Sequence, residues 1–297
     1  MMNYNEFKEE LVEAVKEVLG KKARVEIKQM KKINKNDRDG LVILEVGKNI
    51  SPILYIDELY SIYKSENCFH EIVALVVGEC KKIPHIEGME MLDDWEQAKT
   101  HVKLELINQE WNELLLKEVP FETIEDLAVI CRIEFFQSKE GKGGCIVNND
   151  ILNSWKISKE ELFRSAHENL KEEGFYIIDL NTAIKEMTGK DMAMELGIEE
   201  EIPKQYVLTN KSKYKGACGM LQTELLQDFS NQIGKNFFIL PSSVHELIIV
   251  PDDKRLQAKE LQEMVLEKND TCVTNEERLS DHVYYYDRTK EKIEMVA

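Results

Sequence analysis

The stretch "FFILPSSVHELIIVPDD", Phe237 to Asp253, sets Ser242, Ser243, His245 and Glu246 between two apolar runs. A hydroxyl, an imidazole and a carboxylate are the parts of a nucleophilic relay. The imidazole takes the hydroxyl proton, and the acid fixes the imidazole tautomer. The spacing works against the simplest version. Side chains alternate faces along a strand, so Val244, Glu246, Ile248 and Val250 share one face and His245, Leu247 and Ile249 the other. Neighbouring His245 and Glu246 therefore cannot pair with each other. Ser243 does share a face with His245, and an orienting acid would have to come from elsewhere, such as Asp281 or Asp287. The run also lacks the G-x-S-x-G elbow of serine hydrolases. The competing reading is a structural corner, in which Pro241 ends the strand and the two serines hydrogen-bond the turned backbone. The corner is the preferred reading.

A second polar cluster is "VLTNKSKYKGACG". Asn210 at a strand end is suited to cap a turn, and Gly216 and Gly219 allow backbones to approach closely. "KGACGML" reads as a strand of small residues. If it neighbours the Ser242–Ser243 corner, Gly216, Ala217 and Gly219 leave a shallow hollow lined by hydroxyls, amides and one imidazole. The candidate binding or structural cluster is thus Asn210, Gly216, Ser242, Ser243, His245 and Glu246, with no residue assigned as catalytic.

Other chemistries find no support in the spacing. Cys68-x-His70 and His85-x-Glu87 are the only close metal-ligand pairs, and the remaining histidines are dispersed, so no metal is expected. "SKEGKGG" lacks the Gly-Lys-Ser/Thr ending of a phosphate loop and reads as a hairpin turn, so no cofactor is expected either.

The elements that must position these residues follow from periodicity. Phe7, Leu11, Val12, Val15, Val18 and Leu19 recur at helical spacing, and Gly20 stops the helix. "ARVEIKQM" and "LVILEV" flank the turn cluster "NKNDRDG", which predicts a hairpin with Lys28, Lys31, Lys32, Lys35 and Arg38 crowded on it. A short strand at Ile53–Tyr55 and two helices follow, and "PHIEGMEMLDDW" is the expected linker. Beyond it, "HVKLELIN" predicts a strand and "QEWNELLLKEV" a helix. "EDLAVICRIEFF" predicts a long, central strand, and Ser158-x-x-Glu161 opens another helix. "MTGKDMAMELGIEEEI" reads as an acidic surface excursion. "QYVLTN" is a strand, "QTELLQDFSNQIG" a helix, "NFFIL" and "HELIIV" paired strands, "RLQAKELQEMVLEKN" a helix, and "HVYYYDRTKEKIEMV" a final hairpin. Strands and helices interleave, which gives an α+β class with two domains. The first is a small helix/hairpin/two-helix unit over residues 1–88, and the second a larger mixed-sheet unit with helices over 89–297.

The formal net charge is −17, and residues 1–64 are close to neutral, so the acid excess lies in residues 65–297. Such a surface repels phosphate backbones, and nucleic acid is not an expected partner. No run approaches the ~20 apolar residues that span a bilayer, and the acidic, amphipathic start is unlike a signal peptide. The six cysteines lack CxxC pairing and most sit among apolar neighbours, which fits reduced thiols in a soluble cytoplasmic protein.

At "YVLTN", "GACGML", "FFILPSSVHELIIVPDD" and "ERLSDHVYYYD" the chain resembles an uncharacterised family of proteins from anaerobic Gram-positive bacteria, a domain of unknown function. "LVILEVGKNISPILYIDELY" fits that family's "G-L-x-I... N-I-S-P-x-I-Y-L" segment, so the resemblance covers nearly the whole chain. The second half is also similar to small cytoplasmic bacterial proteins without assigned activity. The resemblance carries no catalytic residue. The positions that match are Asn210, Gly216, Pro241, Ser242, Ser243, His245 and Glu246, and the departure is Cys218-Gly219, where bulkier apolar residues are usual. The function expected is a non-enzymatic protein- or peptide-binding or regulatory protein. The alternative is a hydrolase or transferase acting at Ser242, Ser243 and His245.

Overall fold

A computed structural model describes residues 1–34, 37–46, 53–80, 89–138, 141–189 and 204–297. Its contacts divide the chain into two compact units, Met1–Ile86 and Glu87–Ala297. The "PHIEGMEMLDDW" stretch lies partly outside the described residues, and so does most of the acidic "MTGKDMAMELGIEEEI" segment.

In the first unit helix α1 (Tyr4–Leu19) opens on a capping box, in which Asn3 and Glu6 satisfy each other's backbone N–H. It ends at Gly20, whose φ of 54° suits a residue without Cβ. Its buried stripe of Phe7, Leu11 and Val15 packs with a three-stranded antiparallel sheet, β1 (Ala23–Met30), β2 (Arg38–Glu45) and β3 (Ile53–Tyr55). Helices α2 (Ile56–Glu66) and α3 (Phe69–Cys80) complete this core with Ile56, Leu59, Tyr63, Ile72 and Val76. Phe7 stacks on Tyr63 at 5.1 Å between ring centroids, so the tyrosines at helical spacing serve packing.

The second unit holds two sheets. After α4 (Trp95–Ala98), strand β4 (Val102–Asn108) pairs with one edge of β6 (Leu127–Ser138). A 3-10 turn and α5 (Glu113–Leu116) lead to β5 (Phe121–Ile124), which takes β6's other edge beside β7 (Gly141–Ile146). Both faces of β6 are buried over Leu127–Cys131, which explains the unbroken apolar run "LAVIC". Helices α6 (Asn149–Trp155) and α7 (Lys159–Leu170) follow, the latter capped by Ser158, and then β8 (Phe175–Asp179) and α8 (Leu180–Thr188).

The larger sheet adds β9 (Tyr206–Asn210), β10 (Phe237–Ser243), β11 (Glu246–Pro251), β12 (Tyr284–Asp287) and β13 (Lys292–Met295), in the order β13-β12-β10-β11-β9-β8. Between them lie α9 (Thr223–Ile233) and α10 (Ala258–Thr271). The two faces of β10 and β11 are both covered. Phe237, Ile239, Leu247 and Ile249 share a core with Leu104, Leu106, Val129 and Cys131 of the other sheet. On the reverse face Phe238, Leu240 and Val250 meet Leu261 and Val265 of α10. Double burial is why "FFIL" and "LIIV" read as continuous apolar runs rather than alternating ones.

The α+β class stands, but every strand pairing among the described residues is antiparallel, where a mixed sheet was expected. Helices α9 and α10 each connect two strands of like direction, β9 to β10 and β11 to β12, but one antiparallel strand lies between the members of each pair, so no adjacent strands are parallel. Two local expectations are also corrected. "GACGML" is a 3-10 helix, Gly216–Leu221, not a strand. Strand β10 runs through Pro241 instead of ending there. Only Phe237–Ile239 pair with β12, and the ladder to β11 shifts register between Pro241 and Ser243, so the missing N–H falls at an irregularity. Among the described residues no helix is long and apolar enough to cross a membrane.

Candidate functional site

The β10–β11 hairpin turns over Val244 and His245, with Ser243 paired to Glu246. The alternation that puts Phe238 and Leu240 against α10 puts Ser242 there as well. Ser242 is 2% exposed, and its hydroxyl donates to Glu246 Oε1 at 3.0 Å and accepts from Lys268 Nζ at 2.5 Å. Ser243 points elsewhere, and its Oγ accepts the backbone N–H of His245 at 3.0 Å. The His245 ring lies 5.4 Å from that of Tyr214 and accepts the backbone N–H of Lys215 at Nδ1. Its Nε2 faces Glu277 Oε1 at 3.5 Å. With Nδ1 accepting, Nε2 carries the ring proton, and no lone pair remains to take one from Ser243. The acid beside His245 is Glu277. Asp281 instead accepts from Asn269, and Asp287 holds the turn at Thr289.

The Asn210–Gly216 cluster does meet this corner, as packing. Asn210 Oδ1 accepts the N–H of Tyr214, and its amide donates to the Tyr214 carbonyl, closing the expected turn. Thr209 Oγ1 and the N–H of Ala217 bond the carbonyls of His245 and Val244. A Cβ on Gly216 would lie 2.3 Å from Thr209 Oγ1 and 2.4 Å from the His245 carbonyl oxygen. The expected hollow is filled by backbone. Gly219 is equally tight, with a Cβ there falling 2.8 Å from Leu208 Cδ1, and the Cys218 thiol donates to the Leu104 carbonyl.

Behind this cluster lies a buried charge network that the sequence pattern did not announce. Arg132 Nη1 donates to Glu134 at 2.5 Å, and its guanidinium sits 5.1 Å from the Tyr214 ring centroid. Lys215 Nζ touches Glu105 Oε1, a charge contact without hydrogen-bond angles. Glu173 accepts from Asn210 at Oε2, while its Oε1 is buried without a hydrogen bond, 3.6 Å from Lys103 Nζ. Burial raises the Glu173 pKa, and Lys103 only partly offsets that. The network joins β4 and β6 to the Asn210–Gly216 loop, a structural duty.

An open site lies at the other end of β4. A groove of about 610 Å³ is lined by the 3-10 turn and α5 after β4, by Phe121 and Asp126, and by Asp281 and His282. Its sequence origin is "NQEWNELLLK". Asn112 is buried and donates to the Asn108 carbonyl, Asn108 Oδ1 accepts the Trp111 N–H, and this turn leaves the Trp111 side chain 38% exposed. Trp111 forms an aromatic wall, with Glu110, Glu113 and Lys117 exposed around it. Neither the Glu110 nor the Glu113 side chain has a hydrogen-bond or ion-pair partner among the described residues.

At the groove's inner end Asp126 is held by four donors. Oδ2 accepts from Asn108 at 3.3 Å, Ser280 at 2.9 Å and His282 Nδ1 at 3.0 Å, and Oδ1 accepts from Tyr284 at 2.5 Å. Burial, reinforced by Asp126, pushes the Tyr284 hydroxyl pKa far above its ordinary value. The His282 Nδ1 faces the Asp126 carboxylate as a donor, which in the neutral imidazole puts the lone pair on Nε2 of a ring that lines the groove. Periodicity reads "QEWNELLLKEV" as one helix and "HVYYYDRTKEKIEMV" as a hairpin. The juxtaposition across 170 residues of chain had no local signal.

Among the described residues no three His, Cys, Asp or Glu side chains gather as a metal site. His85 and Glu87 lie outside them. The model of a family of unknown function, DUF5688, matches residues 4–288. No curated protein and no solved structure matches the chain.

Proposed function

Because the chain belongs to the family of unknown function DUF5688, we propose a function from its own geometry: a non-enzymatic, cytoplasmic binding or regulatory protein that engages a protein or peptide at the Trp111 groove. The observation that carries this reading is an exposed Trp111 beside the unpartnered carboxylates Glu110 and Glu113, on an open groove of about 610 Å³. Large aromatics are enriched among the residues that dominate binding, and a groove of this size accepts a side chain with its flanking backbone. Selection of a random peptide library on the immobilised full-length protein tests it, with Trp111→Ala in parallel. Enrichment on the wild type that disappears with Trp111→Ala supports the reading. Equal enrichment on both, or none, defeats it.

A hydrolase or transferase is the second reading, and the observation that favours one is Asp126–His282 rather than the Ser242 corner. Ser242 is covered by α10, and His245 has no lone pair for Ser243. His282 has the tautomer of a general base and faces open space. Turnover of a panel of activated esters that His282→Ala abolishes, with an unchanged melting temperature, would establish it.

A further inference from the structure

The chemistry of the groove narrows its occupant. Glu110, Glu113, Asp126 and Asp281 face it against a single lysine, Lys117, and a histidine whose Nδ1 is engaged by Asp126. Asp126 is satisfied by its four donors, and one oxygen of Asp281 accepts from Asn269 at 2.7 Å. Glu110 and Glu113 have no such partners, so a cation entering the groove displaces no protein contact from them. The Trp111 indole is in none of the ring pairs or cation–π contacts among the described residues, so its face is available. Of the basic side chains arginine matches this best. Its guanidinium is planar and weakly hydrated, stacks on indole, and presents several donors to more than one carboxylate. We propose that the groove receives an arginine side chain of a peptide partner, stacked on Trp111 and paired with Glu110 and Glu113. This rests on the binding reading above and names its ligand class.

Calorimetric titration of the full chain with acetylated hexapeptides bearing a central Arg, Lys, Gln or Glu in a Gly-Ser background tests this, with free arginine amide as a further ligand. Trp emission gives a second readout, because Trp95 and Trp155 are buried and Trp111 is the accessible indole. The Arg peptide should bind about tenfold more tightly than the Gln peptide, a difference of about 1.4 kcal/mol. Trp111→Ala and Glu110→Gln/Glu113→Gln should each remove most of that preference, Lys117→Gln should strengthen binding, and added salt should weaken it. Equal binding of the Gln or Glu peptide overturns the arginine inference and leaves a peptide groove in place. Arginine amide binding as tightly as the peptide overturns the peptide source. No binding of any hexapeptide overturns the inference too, and the binding reading is then judged by the library selection alone.

Discussion

His245 Nδ1 accepts the backbone N–H of Lys215 across 3.1 Å, which ties the β10–β11 turn to the loop before Gly216. The bond makes the imidazole a structural acceptor, and Gly216, packed on the His245 carbonyl, needs the loop held there. Replacing His245 by Ala leaves the Lys215 N–H without its acceptor, at about 1–3 kcal/mol. Ser242→Ala removes the hydroxyl between Lys268 and Glu246, with a loss in the same range of about 1–3 kcal/mol. Ser243→Ala removes one turn bond, at about 0.5–1.5 kcal/mol. Thermal melts should fall in all three variants. Unchanged or raised melting temperatures throughout would revive the corner as an active site, where residues are held at the expense of stability.

What the chain discloses locally, and what it does not, divides along physical lines. Strand β6, the β10–β11 pair, the Ser158 cap of α7 and the terminal hairpin follow from apolar runs and turn residues, because neighbours in sequence decide them. The run "GACGML" has no periodicity to read, and its 3-10 path is set by the close approach of Gly216 to His245, 29 residues away. No element is expected in "FYIIDLNTAIKEMT", which forms β8 and α8, although Asp179 caps the helix at Thr182. The groove was illegible for a different reason. The run "QEWNELLLKEV" reads as one helix, whereas Asn108 and Asn112 take the buried side of a tight turn there and leave Trp111 exposed.

The basic hairpin of the first unit should not bind nucleic acid. Arg38 is bonded to Asp57 and Glu58, Lys28 is paired with Glu26, and Lys32 lies 4.3 Å from the Tyr55 ring centroid. Lys35 lies outside the described residues. With Arg38 and Lys28 paired to carboxylates and the whole chain at −17, counterion release offers little driving force. Fluorescence anisotropy with labelled duplex DNA and single-stranded RNA at physiological salt should show no binding up to about 10 µM. Salt-dependent binding below that would contradict it.

Thiol reactivity should follow burial. Cys68, Cys131, Cys145, Cys218 and Cys272 are free, and of these Cys272 is exposed while Cys131 and Cys218 are buried. Burial pushes the Cys145 thiol up to about 11 and those of Cys131 and Cys218 well above their ordinary value. Because the thiolate is the reactive form, mass spectrometry after brief alkylation of the folded protein should find label on Cys272 first. Cys131, Cys145 and Cys218 should be labelled last. In guanidinium without reductant all six cysteines should react; a pair that resists labelling would reveal a bridge and speak against a reducing compartment.

Glu173 should make the protein less stable as pH rises. Burial raises its pKa above that of the unfolded chain, against the partial offset of Lys103, so the folded state binds its proton more tightly. Stability therefore falls as pH climbs from the ordinary glutamate value of about 4.3 through the raised folded value, and the penalty is complete above it. Glu173→Gln keeps an acceptor for Asn210 and removes the buried charge, while Lys103, partly exposed, can turn to solvent. Relative to the wild type, the variant should gain little at acid pH and most at neutral pH. Urea denaturation across that range measures the difference directly. A variant that is least stable, relative to the wild type, at neutral pH would show that the ion pair with Lys103 outweighs desolvation.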